Sequence, residues 1–281
     1  MSITPFSSLA CPLDGAPLHP QAGCWRCASG HSFDVASQGY INLLPVQNKR
    51  SRDPGDSREM VAARRRFLEA GFYHRIAAAL AEAALTDLPV DAACLDAGSG
   101  EGYYLRQLAG AVPEGHRLSL LGLDISKWAV QSAAKREKRA AWVVGSNATL
   151  PVLSGTLDRV LCLFGFPVYP EFARVLKPGG QLLMVDAGPD HLRELREIIY
   201  PSLKPEKVHE AACPEGFELL GVEAVRFGVE VAGAALLADL LAMTPHLHRA
   251  TPEGRARAAA LTGLGLTVDV KLSRYVRRSG T

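Results

Sequence analysis

From Ala93 onward the chain alternates short apolar runs with amphipathic stretches, and that alternation predicts a layered α/β fold. Cys94-Leu-Asp-Ala is a strand candidate ending in glycines, with a helix expected over 103–108. Leu118-Ser-Leu-Leu-Gly-Leu-Asp124 is a second strand, followed by a helix over 127–138, and Trp142-Val-Val is a third strand. Leu157-Asp-Arg-Val-Leu-Cys-Leu-Phe164 is a fourth, then a helix over 171–176 and a fifth strand, Gln181-Leu-Leu-Met-Val-Asp186. Strands separated by helices in this way predict a doubly wound, mostly parallel sheet. Thr267-Val-Asp-Val-Lys-Leu alternates like a further strand that could close the sheet, and helices are expected over 234–243 and 252–261.

Before residue 91 the pattern differs. Residues 1–45 are rich in Gly, Pro, Cys and polar residues, with strand-like pieces at His31-Ser-Phe-Asp-Val and Tyr40-Ile-Asn-Leu-Leu. Residues 46–90 begin with the charged loop Arg52-Asp-Pro-Gly-Asp56 and continue into helix-like sequence over 57–85. The expected organisation is therefore a small module over 1–45, a basic linker with helices over 46–90, and an α/β domain over 91–281.

At 281 residues and 48% hydrophobic content, the composition excludes disordered and fibrous classes. No apolar run is long enough to span a bilayer. The N-terminus lacks the charged start and apolar core of a secretory signal, so no membrane partner and a cytoplasmic location are expected. A net charge of +2 decides little about partners, but the charge is locally uneven. Asn48-Lys-Arg-Ser-Arg52 and Arg64-Arg65-Arg66 read as RNA contacts more than as solvated faces, while Lys135-Arg-Glu-Lys-Arg139 fits either reading. Six cysteines divide unevenly. Cys11, Cys24 and Cys27 crowd the N-terminus with His31 and read as metal ligands, whereas Cys94, Cys162 and Cys213 stand singly as core residues or idle thiols.

The densest chemistry lies in Leu95-Asp96-Ala97-Gly98-Ser99-Gly100-Glu101-Gly102-Tyr103. A strand runs into glycines that permit close backbone approach to a ligand, and a helix N-terminus follows. Asp124 ends the next strand, where an acid accepts hydrogen bonds from ribose hydroxyls in doubly wound folds. No Gly-Lys-Ser/Thr phosphate loop occurs, and Leu176-Lys-Pro-Gly-Gly180 precedes the fifth strand. Together these features resemble the Rossmann-like class I S-adenosylmethionine methyltransferases. That resemblance implies that Gly98, Gly100 and Glu101 line the methionine and ribose of the cofactor, that Asp124 binds the ribose, and that Asn147, with Ala148, lies near the adenine.

The N-terminal segment Cys11-Pro-Leu-Asp14-Gly15, then Cys24-Trp-Arg-Cys27-Ala-Ser-Gly-His31, is nearly a small zinc module. Zinc takes four tetrahedral ligands from paired short turns, and here Asp14 stands where a second cysteine is expected. The chain resembles the bacterial ribosomal RNA large-subunit methyltransferase A family over nearly its whole length. The likeness is tightest across His31-Ser-Phe-Asp-Val-Ala-Ser-Gln-Gly-Tyr-Ile-Asn-Leu-Leu-Pro-Val-Gln-Asn-Lys-Arg-Ser-Arg-Asp-Pro-Gly-Asp56, and continues at Ala63-Arg-Arg, Phe67-Leu-Glu-Ala-Gly, Gly100-Glu-Gly-Tyr-Tyr, Gly188-Pro-Asp-His-Leu192 and Met243-Thr-Pro245. It implies methyl transfer to N1 of a guanine in a hairpin loop of 23S rRNA, in the branch acting on guanine 745 rather than 748, by an enzyme that is a homodimer. By position it implies cofactor contacts from Tyr73, Gly100, Glu101 and His191, and zinc ligands Cys11, Cys27 and His31. The fourth ligand is open between Cys24 and Asp14; Cys24 is preferred because thiolate is the softer donor.

Methyl transfer needs guanine N1 positioned in line with the methyl carbon and relieved of its proton. The sequence names no acceptor for that proton. Leu163-Phe-Gly-Phe-Pro167 lacks the Asn/Asp-Pro-Pro-aromatic stretch of exocyclic-amine methyltransferases, and Cys162 lies inside an apolar strand, which favours packing over nucleophilic chemistry. Phe164, Phe166 and Tyr169 are candidates for stacking on the target base. A small-molecule methyltransferase is the first rival and leaves the cysteine cluster unexplained. A non-catalytic RNA-binding protein is the second, opposed by the intact Gly98, Gly100 and Asp124.

Overall fold

The computed structural model describes residues 2–48, 51, 53–203 and 213–279. The chain starts in the main sheet with strand β1 (Ser2–Pro5), then leaves it for a three-stranded antiparallel ribbon, β2 (His19–Gln21), β3 (Cys24–Arg26) and β4 (Ser32–Asp34). It returns to the main sheet as β5 (Tyr40–Asn42). Residues 1–45 are thus threaded through the edge of the sheet rather than folded apart from it.

The helix-like stretch over 57–85 is two helices, α1 (Arg58–Glu69) and α2 (His74–Leu85). Ser57 caps the first, its Oγ accepting the Met60 amide at 3.3 Å, as short hydroxyl side chains do at helix starts. Gly71, at φ 88°, turns the chain between them. The expected alternation follows: β6 (Asp91–Ala97), α3 (Tyr103–Ala111), β7 (Arg117–Asp124), α4 (Lys127–Arg136), β8 (Ala141–Val144), β9 (Leu157–Leu163), α5 (Tyr169–Val175), β10 (Leu176–Ala187) and α6 (Arg193–Ile199). The C-terminal part adds β11 (Phe217–Ala232), α7 (Ala234–Ala242), α8 (His246–Arg249), α9 (Pro252–Ala259) and β12 (Gly263–Arg277). No helix among the described residues is long and apolar enough to cross a membrane.

The sheet order is β11-β12-β10-β9-β6-β7-β8-β5. Strands β5 to β10 pair in parallel, whereas β12 is antiparallel to both its neighbours. The anticipated C-terminal strand therefore lies inside the sheet, and the edge belongs to β11, which the hydrophobic pattern did not announce. Along β7 one edge is shared: Arg117 to Leu120 pair with β1, and Leu121 to Asp124 pair with β8.

The two faces are covered unequally. Leu118, Leu120 and Trp142 turn toward the layer that includes α2, α3 and α4, while Leu121, Leu123 and Val143 turn to the opposite face. That second face packs against α5 and the N-terminal segment, including Phe6, Leu9, Leu18 and the thiols Cys11 and Cys27. The ribbon's base is pinned there by Ala10 N donating to Pro151 O at 3.0 Å and Leu153 N donating to Ser8 O at 3.0 Å. A cysteine-bearing arm thus takes part of the place that a helix layer fills in a symmetric doubly wound fold.

Candidate active site and metal centre

The sheet order reverses between β6 and β9, and ligands of open α/β sheets bind outside the carboxyl ends of the strands at such a point. Beyond β6 the backbone carries left-handed φ values at Gly98 (93°), Gly100 (56°) and Gly102 (81°), a course a side chain would strain. A Cβ on Gly98 would meet no protein atom within 4 Å, so that side of the turn is open for a ligand. A Cβ on Gly102 would lie 2.4 Å from the Trp142 ring, so this third glycine serves the packing of α3 onto the sheet.

Asp124 ends β7 facing the turn. Its Oδ2 accepts the Gly100 amide at 2.9 Å and its Oδ1 accepts the Ser126 amide at 2.8 Å. Each oxygen keeps a free lone pair for a ribose hydroxyl. Burial raises the Asp124 pKa, and these two amide bonds oppose the shift. Asn147 follows β8; its Nδ2 donates to Phe166 O at 3.4 Å, and its Oδ1 is buried without a partner, an acceptor placed for an amino group. Glu101 behaves otherwise. Its carboxylate is buried and accepts from Arg106 Nη2 at 2.9 and 3.1 Å, and its carbonyl accepts from Arg106 Nη1 at 2.6 Å, so the side chain is engaged within the fold.

Tyr73 and His191 come together from positions 118 residues apart, with Tyr73 Oη 3.1 Å from His191 Nε2. His191 Nδ1 accepts the Asp269 amide at 3.3 Å, so in the neutral ring the proton sits on Nε2 and is donated to the tyrosine oxygen. Burial lowers the His191 pKa to about 4, which keeps it neutral near pH 7. The tyrosine's own hydrogen is then free to point elsewhere. Phe164 stands 6.2 Å from the Tyr73 ring and 5.7 Å from the His191 ring, at φ 51°. A left-handed phenylalanine is a strained residue of the kind found at ligand sites. Phe166 is 90% exposed on the same loop, whereas Tyr169 donates to Met184 Sδ and packs edge-on against Phe217. Of the three stacking candidates, Phe164 and Phe166 face outward. Cys162 is buried and its thiol is pushed up to about 12, as a core residue's should be.

In the ribbon, two turns bring four donors together: Cys11, Asp14, Cys27 and His31, with ligand atoms all within 4.8 Å of one another. His31 Nδ1 lies 3.5 Å from Cys11 Sγ, 3.4 Å from Cys27 Sγ and 3.2 Å from Asp14 Oδ2. A tetrahedron of bonds of about 2.0–2.3 Å has edges of roughly 3.3–3.8 Å, so this donor set is of the right size and chemistry for zinc. Cys24 lies outside the group, which corrects the preference for it. It sits in β3 opposite Gln21 and Asp34, three residues before Cys27, and the strand's alternation turns it from the cluster. Asp14 reaches in because the turn Cys11–Ala16 closes through the Gly15 and Cys11 amides, both at 2.8 Å.

Residues 9–52 match the family model described as RlmA, N-terminal, a zinc ribbon, and residues 94–180 match a methyltransferase domain. The chain is 35% identical to a Micromonospora griseorubida protein provisionally named as a 23S rRNA (guanine-N1)-methyltransferase, over 95% of this chain and 96% of that one. It is also 35% identical to the 23S rRNA (guanine(748)-N1)-methyltransferase of Streptomyces fradiae, over 90% of each chain. A provisionally named Bacillus subtilis relative is 30% identical over 95% and 96% of the two chains. The chain belongs to the RlmA family of 23S rRNA guanine-N1-methyltransferases.

For an RlmA-family chain, three site features escaped the sequence reading. Among the described residues, neither buried carboxylate oxygen of Asp96 has a hydrogen-bond partner, and Ser99 Oγ is in the same state. Such orphaned groups suit a ligand that brings its own donors. The rarity of a carboxylate among the apolar residues near the end of a buried strand was the available signal. The second feature is Arg64, whose guanidinium lies beside Gly100. The third concerns the basic runs. Arg64 pairs with Asp56, Arg66 donates to Asp239 at 2.5 and 2.8 Å, Arg136 pairs with Glu69, and Arg139 pairs with Glu137. Arg64 and Arg66 are therefore each paired with an acid within the fold, Arg66 with half of its side chain still exposed. Lys49, Arg50 and Arg52 lie outside the described residues.

Proposed function

We propose that this enzyme transfers the methyl group of S-adenosylmethionine to N1 of a guanine in a 23S rRNA hairpin loop. The observation that carries the reading is the family likeness running unbroken through both the ribbon and the methyltransferase domain. A small-molecule methyltransferase has no need of the first. Bound S-adenosylmethionine supplies an electrophilic methyl group on a sulfonium. Asp124 holds its ribose, Asn147 its adenine, and Asp96 its ammonium. Tyr73 and His191 close the pocket beside Phe164, and the Phe164–Phe166 loop receives the splayed-out base. Because His191 stays neutral with both nitrogens engaged, it positions Tyr73 rather than taking the guanine proton.

The target is read as guanine 745, on the Arg52-Asp-Pro-Gly-Asp56 segment. A transcribed hairpin incubated with labelled cofactor tests this, since N1 methylation blocks base pairing and stops reverse transcription at the modified nucleotide. A stop at 748 would reassign the position, and RNA without label would remove the reading. The enzyme works as a homodimer that offers the hairpin a cleft. Half-exposed Leu219, Leu220 and Val222 on edge strand β11 support such pairing, and light scattering of the purified protein measures it.

Zinc is held by Cys11, Asp14, Cys27 and His31. Asp14→Cys is expected to tighten zinc by about tenfold or more, because a thiolate replaces the harder oxygen. Competition with a chromogenic chelator reads this directly, with Cys24→Ser leaving the affinity unchanged. A large loss of zinc in Cys24→Ser would return the fourth position to Cys24.

A further inference from the structure

The ligand expected at the glycine turn ends in an amino acid, so its pocket must answer one carboxylate as well as an ammonium. Acids are plentiful there: Asp56, Asp96 and Asp124 all approach the turn, and each influences or is influenced by its neighbours electrostatically. The balancing cation is Arg64. Its Nη1 and Cδ lie 3.7 and 3.8 Å from where a Cβ on Gly100 would sit. Its charge also acts on Asp124 and on the Tyr104 hydroxyl, and Tyr104 in turn feels Asp96 and Tyr73.

Arg64 is held rigidly and incompletely used. Nη1 pairs with the Asp56 carboxylate, and Nη2 donates to Met243 O at 3.1 Å. A guanidinium has five N–H donors in a fixed fork, so three remain after these two bonds. Asp56 is itself anchored, its carbonyl accepting from Ser126 Oγ at 2.7 Å beside the cap of α4. The adjoining Gly55 packs so closely that a Cβ would lie 2.9 Å from the Ser126 backbone. The Asp53-to-Ser57 loop therefore presents Arg64 to the turn and orients its free edge.

Resting on the proposed S-adenosylmethionine chemistry, we infer that Arg64 binds the carboxylate of the cofactor's methionine half, sharing its guanidinium between that group and Asp56. Asp96 answers the ammonium at the other end of the same zwitterion. The arginine run at 64–66, which looks from sequence like an RNA contact, is on this inference partly a cofactor clamp.

Calorimetric titration of the zinc-loaded full chain with S-adenosylmethionine and with decarboxylated S-adenosylmethionine tests the inference. The two ligands differ only in the carboxylate. Wild type is expected to prefer the intact cofactor by about 30-fold, the size of a charge-assisted bond. Arg64→Gln is expected to bind the two within about threefold of each other while keeping the wild-type affinity for the decarboxylated ligand. Arg64→Lys, which keeps the charge but not the fork, should restore an intermediate preference. An unchanged preference in Arg64→Gln, or a loss of the decarboxylated ligand equal to that of the intact one, overturns the inference. Wild type that binds neither ligand defeats the functional reading instead.

Discussion

Replacing Asp124 by alanine is expected to weaken S-adenosylmethionine about a hundredfold while leaving hairpin binding within a few-fold of wild type. The size follows from what the carboxylate holds. It accepts the Gly100 and Ser126 amides at 2.9 and 2.8 Å, and on the proposed function its remaining lone pairs serve the ribose. Losing the ribose bonds costs about 1.5–3 kcal/mol, and leaving two buried amides unsatisfied loosens the turn that shapes the pocket. About 3 kcal/mol corresponds to roughly a hundredfold in Kd. Asp124→Asn keeps one acceptor oxygen and should lose about tenfold. Titration calorimetry gives the cofactor arm and filter retention of a labelled hairpin gives the RNA arm. An alanine variant within threefold of wild type for the cofactor would show that the acid does not hold the ribose.

Asp96→Asn should move stability and binding in opposite directions. Both Asp96 oxygens are buried without partners, and burial, aided by the nearby Asp124 charge, raises its pKa from 3.8 to about 7. Between those values the folded chain holds a proton that the unfolded chain has released. Stability therefore falls as pH rises from about 4 to about 7 and levels off above it, when both states are ionised. Asparagine cannot ionise, so at pH 8 the ligand-free variant should melt higher than wild type by about 5 °C, and near pH 4 the two should converge. Without an anion for the cofactor's ammonium, the same variant should bind S-adenosylmethionine at least tenfold more weakly. Melting curves recorded from pH 4 to 8 decide the matter. A difference in melting temperature that does not change with pH would mean that Asp96 ionises freely in the folded chain. Higher stability together with weaker binding in this variant would identify Asp96 as a group retained for binding rather than for folding.

Sequence alone determined the parts whose signal is local. The short, nearly continuous apolar runs marked strands β6 to β10, because such strands are buried on both faces and their residues are adjacent in the chain. The glycine turn and Asp124 were legible because a turn of that shape demands glycine, and because the strand end following it fixes where an acid must stand. Cys11, Cys27 and His31 were legible as candidates because zinc ligands come from short turns, and the fold brings their donor atoms together.

The rest was decided by contacts that no local window contains. Strand β11 stayed hidden because, as the sheet's outer strand, it buries only scattered residues such as Phe217, Val225 and Val231, and its apolar Leu219, Leu220 and Val222 face outward. Which residue joins Cys11, Cys27 and His31 in the cluster, Asp14 rather than Cys24, depended on how the Cys11–Ala16 turn closes, since one residue of strand register moves a side chain to the other face. Arg66 found its acid at Asp239, 173 positions along the chain, and Arg64 found Gly100 only when α1 packed across the strand ends. Charge and hydrogen-bonding capacity are written in the sequence, but which of those groups are spent within the fold, and which are left for a ligand, is fixed by packing in three dimensions.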